Sequence, residues 1–201
     1  MGKVVVTEFM TLDGVIQDPG GSEGTGHGGW GFRHPTPDGQ QFKFNELLNS
    51  DAQLFGRVTY EGFAAAWPNM EEETGEFGRL MNEMPKYVVS TTLGDASWKN
   101  TTIISGDVVN EVSNLKQKYR KDILVSGSAA LVGTLRDHDL IDEYHIMMHP
   151  IVLGTGKRLF PDGTTPGDLV LVDSSLAGPD VLLLVYRPAA RRSFVGGRSD
   201  T

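Results

Sequence analysis

The sequence predicts an α/β fold in which a mostly parallel central sheet is flanked by helices and ends in an antiparallel C-terminal edge. Through the middle of the chain, short runs of β-favouring apolar residues alternate with segments whose apolar residues recur every three or four positions. The last two strand-like segments, at 168–173 and 181–187, have no helical segment between them, which is typical of antiparallel pairing. No repeat or linker divides the chain. We therefore expect one domain over residues 1–188 and a loosely packed polar tail over residues 189–201.

The first half of the chain begins with a strand signal and then passes through a long glycine-rich stretch. Val4, Val5 and Val6 in succession favour a strand that is buried on both faces. Pro68 and Pro85 each end a helical pattern, since proline cannot continue a helix. The predicted elements of this half are strands at 3–10, 51–55 and 87–92 and helices at 42–49, 63–67 and 77–84.

The second half continues the alternation of strands and helices. Asp107 begins a helical pattern whose last turn is rich in lysine and arginine, which suits the negative end of the helix dipole. The apolar face of that helix contains Val108, Val112, Leu115 and Tyr119. Further strands are predicted at 102–104, 123–125 and 141–149, and a further helix is predicted to start at Ser128.

Composition excludes several classes of function. The chain has 201 residues, of which 39% are hydrophobic and 22% charged, as expected for a soluble globular protein. Its net charge of −8, with no basic run before Arg191, argues against nucleic-acid binding. The absence of cysteine excludes disulfides and thiolate metal sites. No apolar run approaches the ~20 residues needed to cross a bilayer, so we expect a cytoplasmic protein.

Two strand-to-helix junctions carry a glycine and are candidates for phosphate binding. At one of them, strand 123–125 ends at Ser126-Gly127-Ser128, where a phosphate could approach the main chain and meet the unpaired amides of the following helix. At the other, Gly56 is followed by Arg57, whose guanidinium adds a positive charge. The alternatives are an ordinary βα turn at the former junction and a surface ion pair of Arg57 at the latter.

The long segment at 17–41 contains aromatic and basic residues among its glycines. A purely flexible linker would lack such side chains, so we favour a functional loop over a disordered one. Trp30 could then fold over a bound ligand and exclude water from it. The histidines show no convincing metal-ligand spacing, so no metal site is predicted, and we interpret His145 and His149 as sheet-face residues.

Several short segments occur in an order that is characteristic of a known superfamily. They are Thr11-Leu-Asp-Gly-Val-Ile, Leu54-Phe-Gly-Arg-Val-Thr-Tyr-Glu61, Tyr87-Val-Val-Ser-Thr, Val125-Ser-Gly-Ser, and Ile141-Asp-Glu-Tyr followed by Pro150-Ile-Val-Leu-Gly-Thr-Gly and Leu159-Phe160. Together they resemble the dihydrofolate-reductase-like superfamily, and within it the reductase (RibD C-terminal) domain of bacterial riboflavin biosynthesis. The resemblance implies that NADPH binds across the carboxyl ends of the strands and that a hydride is transferred to a heterocycle.

The resemblance also assigns roles to individual positions. The cofactor-binding positions it matches are Gly56, Arg57, Val58 and Thr59 at the adenosine-side phosphates, Ser90 and Thr91 at the 2′-phosphate and adenine, and Ser126, Gly127, Ser128 and Ala129 at the pyrophosphate. The positions on the nicotinamide and substrate side are Thr11, Asp13, Gly14, Gly154, Thr155 and Gly156, to which we add Trp30 as a substrate-binding candidate. Thr11 and Asp13 are the candidate catalytic residues. Asp13 could orient the substrate or relay a proton, and the alternative is a turn residue of Asp13-Gly14.

Two positions depart from the pattern of the folate reductases. Those enzymes place a carboxylate sixteen residues before the glycine of the Gly-Arg motif, and Gln40 stands at that position here. Their Gly-Gly pair under the pyrophosphate is replaced by Gly127-Ser128, so unusual peptide geometry is not predicted at this turn. The sequence therefore does not predict reduction of dihydrofolate itself.

The hypothesis that follows is an NADPH-dependent reductase of a small nitrogen heterocycle that resembles a pterin or a ribosylaminopyrimidine. The alternative is a non-catalytic nucleotide-binding module of the same fold. Riboflavin-type reductases pair into dimers, and the apolar closing strands offer a surface for a homodimer.

Overall fold

The computed structural model describes residues 1–34 and 36–190, so the predicted tail beyond residue 190 lies outside the described part. Strands and helices alternate along the chain, as the sequence predicts. The strands are β1 (Val4–Thr11), β2 (Ser50–Gly56), β3 (Lys86–Val89), β4 (Thr101–Ile104), β5 (Asp122–Val125), β6 (Glu143–His149), β7 (Leu169–Leu176) and β8 (Leu182–Pro188). The helices are α1 (Pro37–Leu48), α2 (Arg57–Ala66), α3 (Glu71–Thr74), α4 (Glu76–Glu83), α5 (Val108–Lys118) and α6 (Ala129–Asp137), with short 3-10 helices at Trp30–Phe32 and Trp67–Asn69.

The eight strands form one sheet in the order β4-β3-β2-β5-β1-β6-β8-β7. Neighbouring strands from β4 to β6 are parallel, whereas β8 runs antiparallel to both β6 and β7. The predicted fold class, with its antiparallel C-terminal edge, is therefore confirmed. Among residues 1–34 and 36–190, no helix has the length and apolar character that crossing a membrane requires.

The central strand β1 divides the core into two layers, because successive side chains of a strand point to opposite faces. Val4 and Val6 belong to an apolar cluster that includes residues of α5 and α6. Val5 belongs to a second cluster, which includes residues of α1, α2 and α4. The next two residues of the strand, Thr7 and Glu8, consequently face opposite layers.

Some element boundaries differ from the prediction for local reasons. Helix α1 begins at Pro37 rather than at residue 42, because the first helical position does not need the N–H that proline lacks. Strand β3 ends at Val89 rather than at residue 92. Helix α5 starts as predicted, with Asp107 as an N-cap that accepts a hydrogen bond from the amide of Asn110 at 3.1 Å.

The loop between β1 and α1 is held together by contacts within itself. Asp18 is buried in the left-handed region, with φ of 56°, and accepts hydrogen bonds from the amides of Glu23 at 2.9 Å and Thr25 at 3.0 Å. Trp30 is fully buried, and its Nε1 donates to the carbonyl of Gln17 at 2.7 Å. The order of this loop thus depends on Asp18, which the sequence analysis did not single out.

Candidate functional site

The carboxyl end of β5 lies in a notch between two longer strands. Its last residue, Val125, is level with Val6 of β1 and Leu54 of β2. Beyond that level, β1 continues through residues 7–11 and β2 continues to Gly56. Open α/β sheets bind ligands at the carboxyl ends of neighbouring strands whose chain connections run to opposite sides of the sheet. Here the connection after β1 leads to β2 on one side, and the connection after β5 leads to β6 on the other.

Both glycine-bearing junctions border this notch and contact each other. The amide of Gly56 donates to the carbonyl of Gly127 at 3.2 Å. A Cβ on Gly56 would overlap the Oγ of Ser128 and lie 3.0 Å from its Cβ, and a Cβ on Gly127 would lie 2.8 Å from the Oγ1 of Thr59. Gly127 has a φ of 77°, which favours glycine, and its peptide bond to Ser128 is cis, a geometry that the sequence did not predict. A side chain is therefore excluded at both glycine positions.

The helices that follow these junctions begin without side-chain caps. Gly56 is the N-cap of α2 and Ser128 is the N-cap of α6, and neither start has a side-chain cap hydrogen bond within the described residues. The hydroxyl of Ser128 instead lies against Gly56, at the contact between the two junctions. The first amides of both helices, including that of Ala129, carry the positive end of a helix dipole and suit the binding of a phosphate.

Arg57 is the first residue of α2, and its side chain is about half exposed. Its Nη1 donates to both carboxylate oxygens of Glu61 at 2.9 Å in an exposed pair four residues apart. A pair of this kind contributes only ~0.3–0.5 kcal/mol, so a bound phosphate can draw the guanidinium away from it. Val58 is also exposed, whereas Thr59 lies against Gly127. Without a ligand, Arg57 thus makes the surface ion pair that was the alternative interpretation.

The candidate residues after β3 form a turn beside the Gly56 junction. The Oγ of Ser90 accepts hydrogen bonds from the amides of Thr92 at 3.1 Å and Leu93 at 2.9 Å, and Ser90 is buried. Thr91 is exposed. Because β3 pairs with β2 up to the last residue of both strands, this turn and the Gly56 junction lie side by side.

Asp13 ties the end of β1 to the loop that follows β6. Thr11 Oγ1 donates to the Oδ1 of Asp13 at 2.6 Å, and the amides of Leu153 and Gly154 donate to its carboxylate at 3.2 and 2.8 Å. The hydrogen bond from Thr11, assisted by those amides, lowers the pKa of Asp13. Asp13 is therefore ionised near neutral pH and is better suited to orient a ligand than to donate a proton.

The other substrate-side candidates lie where the loop after β6 packs on the loop after β1. The amide of Leu159 donates to the carbonyl of Gly14 at 3.0 Å. Gly156 has a φ of 119°, and a Cβ there would lie 2.7 Å from the Cγ1 of Val15. Thr155, which precedes Gly156, is exposed. The missing side chain of Gly156 thus allows the two loops to approach closely.

Trp30 does not face the notch. Its ring is edge-on to that of His149, with 5.4 Å between the ring centroids. His149 is also buried, neither of its ring nitrogens has a hydrogen-bond partner in the described part of the chain, and burial lowers its pKa to about 4. Trp30 anchors the loop in this structure, and it would cover a ligand only if the loop moved.

An open groove of about 640 Å³ separates α6 from the loop after β6. Its walls include Ala129 and Gly133 on the helix and Gly156, Lys157 and Arg158 on the loop. One cofactor candidate and one substrate candidate therefore line the same groove, together with three cationic side chains (Arg136, Lys157 and Arg158) and two carboxylates (Asp137 and Asp162).

Glu8 is a buried acid of the notch that the sequence analysis missed. A Cβ on Gly127 would lie 3.6 Å from its Oε1, and that oxygen is buried without a hydrogen-bond partner in the described residues. Burial raises the pKa of Glu8 to about 8, although the charge of Lys43 and the amide of Gly127 favour its ionised form. The available signal was a charged residue inside the otherwise apolar start of β1.

A second buried carboxylate, that of Glu46 in α1, lies on the other side of β1. It accepts a hydrogen bond from the Oγ1 of Thr7 at 2.8 Å. It also pairs with Lys43 at 3.1 Å and with the Nδ1 of His145 at 2.7 Å. Burial acts to raise the pKa of Glu46, but these three partners outweigh it and lower that pKa. Gln40, at the position of the folate-reductase acid, is exposed.

Known proteins share both the sequence pattern and the fold. The sequence profile of the RibD C-terminal domain matches residues 2–183. The uncharacterized protein YyaP of Bacillus subtilis (strain 168) is 29% identical over 187 residues, covering 92% of this chain and 94% of that protein. A candidate riboflavin biosynthesis protein of Shewanella sp. PV-4 has a TM-score of 0.72 at 21% identity, with 94% of this chain and 99% of that chain covered. Dihydrofolate reductase from Enterococcus faecalis, in complex with NADP(H) and RAB-propyl, has a TM-score of 0.59 at 16% identity, covering 94% and 97% of the two chains.

Proposed function

The chain belongs to the RibD C-terminal domain family, and we propose that it is an NADPH-dependent reductase that delivers a hydride to a small nitrogen heterocycle. The fold that it shares with a dihydrofolate reductase solved with NADP(H) supports the choice of cofactor. Because one fold can host many activities, further support for this activity has to come from the residues of the notch.

The observation that carries the proposal is the contact between the two glycine-bearing junctions. The hydrogen bond from Gly56 to Gly127 brings the uncapped starts of α2 and α6 side by side. Two sets of helix amides can then bind the two charges of a diphosphate, which one junction would bind less well alone, and the guanidinium of Arg57 can bind a further phosphate on the adenosine side. The missing Cβ atoms leave the main chain open to a closely bound ligand.

Each junction has its own part in this proposal. Arg57 and the first amides of α2 bind the phosphates on the adenosine side, with the exposed hydroxyl of Thr91 beside them. Ser128 and Ala129 bind the diphosphate through the hydroxyl and the amides at the start of α6. The reduced nicotinamide supplies the hydride when the cofactor is bound. The protein contributes orientation of the two rings and exclusion of water.

The substrate side lies at the end of β1. The ionised carboxylate of Asp13 can orient an amine or hydroxyl of the heterocycle. Lys157 and Arg158, on the loop after β6, can bind an anionic substituent such as the phosphate of a ribosylaminopyrimidine in the adjoining groove, whose lining also includes Arg136, Asp137 and Asp162. Gln40 is exposed and is not an acid, which argues against dihydrofolate as the substrate.

We also propose that two copies of the chain pair through the C-terminal edge of the sheet. All eight residues of β7 are exposed, and Leu169, Val170, Leu171 and Val172 form an apolar run among them. An exposed apolar edge strand invites pairing with another strand. Analytical ultracentrifugation should therefore show a dimer that Leu171→Lys weakens, and a monomer at all concentrations would contradict this proposal.

Thermal unfolding in the presence of nucleotides tests the proposed function. NADPH at a hundred times its dissociation constant should stabilise the protein by ~2.7 kcal/mol and raise its melting temperature. Arg57→Ala should weaken NADPH more than NADH, because the guanidinium is expected to bind the 2′-phosphate. Arg79→Ala removes an arginine from a comparably exposed ion pair and serves as the control.

The outcomes separate the alternatives. The absence of a shift with either nucleotide would contradict the proposal. A shift without oxidation of NADPH by any pterin or ribosylaminopyrimidine would favour a non-catalytic nucleotide-binding module. Equal losses of NADPH and NADH binding in Arg57→Ala would refute the assigned role of that residue.

A further inference from the structure

We propose that Glu8 is a proton site linked to the oxidation state of the cofactor: it is protonated beside the reduced nicotinamide and releases its proton when the positively charged, oxidised ring binds. This inference rests on the proposed function, because it needs a nicotinamide nucleotide in the notch. It assigns a chemical task to a residue that lies outside the diphosphate-binding junctions and the contacts of Asp13.

The position of Glu8 supports this role. Val6 of β1 is level with Val125, the last residue of β5, so Glu8 lies just beyond the end of β5 and beside Gly127. Thr11 lies three residues further along the same strand, at the substrate side. A ring that extends along β1 from the diphosphate at Gly127 towards the substrate side passes the level of Glu8, whose Oε1 lies 3.6 Å from where a Cβ of Gly127 would stand.

The bonding of Glu8 is incomplete in a way that points to a ligand. Its Oε1 is buried and has no hydrogen-bond partner among residues 1–34 and 36–190. Buried polar atoms without partners are rare in folded proteins, because each one costs the free energy of desolvation. The carboxamide or the charge of a nicotinamide would give this oxygen the partner it lacks.

The groups around Glu8 leave its charge largely uncompensated. From α1 only the ammonium of Lys43 acts on it, and that ammonium already contacts Thr7 and pairs with Glu46 at 3.1 Å. The start of α2 and the turn after β5 offer an uncharged hydroxyl, that of Thr59, and an amide. On β6, the imidazole of His145 bonds to Glu46 and Glu143 instead. Burial consequently dominates and raises the pKa of Glu8 to about 8.

A cation next to this carboxyl would reverse that balance. An opposite charge within a few ångströms favours the ionised form of an acid, so the pyridinium of NADP⁺ should release the proton of Glu8 at neutral pH. The reduced ring is neutral and should leave the proton in place. Reduction of a C=N bond adds one hydride to carbon and one proton to nitrogen. The single proton that Glu8 releases as the nicotinamide becomes oxidised therefore balances the single proton that the reaction consumes.

Proton release on nucleotide binding tests the inference without any substrate. The protein is mixed with NADP⁺ or NADPH in weakly buffered solution at pH 7, and a pH indicator reports the protons exchanged per nucleotide bound. The wild type should release close to one proton with NADP⁺ and none with NADPH. Glu8→Gln should release none with either nucleotide, and Glu111→Gln, the same change at an exposed position of α5, should behave as the wild type.

A second measurement is the affinity ratio of the two nucleotides as a function of pH. In the wild type, the preference for NADP⁺ over NADPH should rise up to tenfold per pH unit between about pH 6 and pH 8, and in Glu8→Gln it should be flat. Bound NADP⁺ without proton release, or undiminished release in Glu8→Gln, would overturn the role of Glu8 while leaving the proposed function intact. If neither nucleotide bound, both proposals would fall.

Discussion

The two sides of β1 hold buried carboxylates in opposite states. On the side of α1, Glu46 bonds to Thr7, Lys43 and His145, and these partners lower its pKa despite burial. On the side of the notch, Glu8 lacks a partner for Oε1, and burial raises its pKa to about 8. The number of hydrogen-bond and ionic partners, rather than burial alone, thus decides whether a buried carboxyl group is ionised. We propose that the partnered carboxylate supports the fold and that the unpartnered one contacts a ligand.

Removing the charge of Glu46 should have the largest effect on stability. Glu46→Gln leaves the ammonium of Lys43 without its buried counter-charge, and breaking a buried ion pair in this way costs ~3–5 kcal/mol. Urea denaturation at pH 7 measures the loss. Glu61→Gln, in an exposed pair, is the control and should cost less than 1 kcal/mol. A loss for Glu46→Gln as small as that of the control would show that the network is not needed for stability.

Glu8→Gln should raise the free energy of unfolding, whereas Glu46→Gln lowers it, and the size of the gain should depend on pH. The pKa of Glu8 is raised from 4.5 to about 8 on folding, so the folded state holds a proton that the unfolded state has lost between these values. Wild-type stability contributed by this group is therefore present below about pH 4.5 and is lost as the pH rises to about 8. At pH 8.5 the variant should be more stable by roughly 4–5 kcal/mol, because each unit of pKa shift corresponds to about 1.4 kcal/mol, and at pH 4.5 there should be little difference. Parallel stability curves for the two proteins would contradict the raised pKa.

The close approach of the two junctions can be tested with a single methyl group. A Cβ on Gly56 would lie 3.0 Å from the Cβ and 3.1 Å from the amide nitrogen of Ser128, so Gly56→Ala should destabilise the fold by about 1–3 kcal/mol. Gly133→Ala is the matched control, because nothing lies within 4 Å of its added Cβ and the helix should gain ~0.5–1 kcal/mol. Equal effects in thermal unfolding would refute the geometry of the notch.

The smallest effect is expected for Arg57 in the absence of ligand. Arg57→Ala removes only an exposed pair with Glu61, so the free energy of unfolding should change by less than about 0.5 kcal/mol. The same variant should nevertheless lose most of the stabilisation that NADPH gives to the wild type. A large loss without nucleotide would mean that Arg57 supports the fold rather than a ligand.

The sequence predicted the parts of this molecule that depend on local patterns. The strands and helices, the parallel sheet with its antiparallel edge, and the junctions at Gly56 and Gly127 all follow from periodicity and turn chemistry. Trp30 was placed over a ligand because an aromatic residue in a glycine-rich loop looks functional, yet the internal bonds of Asp18 fold that loop so that the ring is buried.

The isolation of Glu8 could not be predicted, because it depends on contacts between distant segments. It arises because β1 runs past the end of β5, and that register exists only once the two strands, which are distant in the sequence, have paired. The partners of Glu46 likewise come from three separate elements. From the sequence, Glu8 is the one charged residue of its strand and Glu46 is one of several charged residues of its helix, and nothing in the local pattern indicates which of them is ionised.

A crystal structure of the protein with NADP⁺ tests the central claim most directly. We expect the diphosphate oxygens to accept hydrogen bonds from the amides at Ser128 and Ala129, the guanidinium of Arg57 to turn from Glu61 to a phosphate, and the nicotinamide to lie against Glu8. A nucleotide bound away from the end of β5, with the Gly56 and Gly127 junctions unchanged and Arg57 still paired with Glu61, would contradict it.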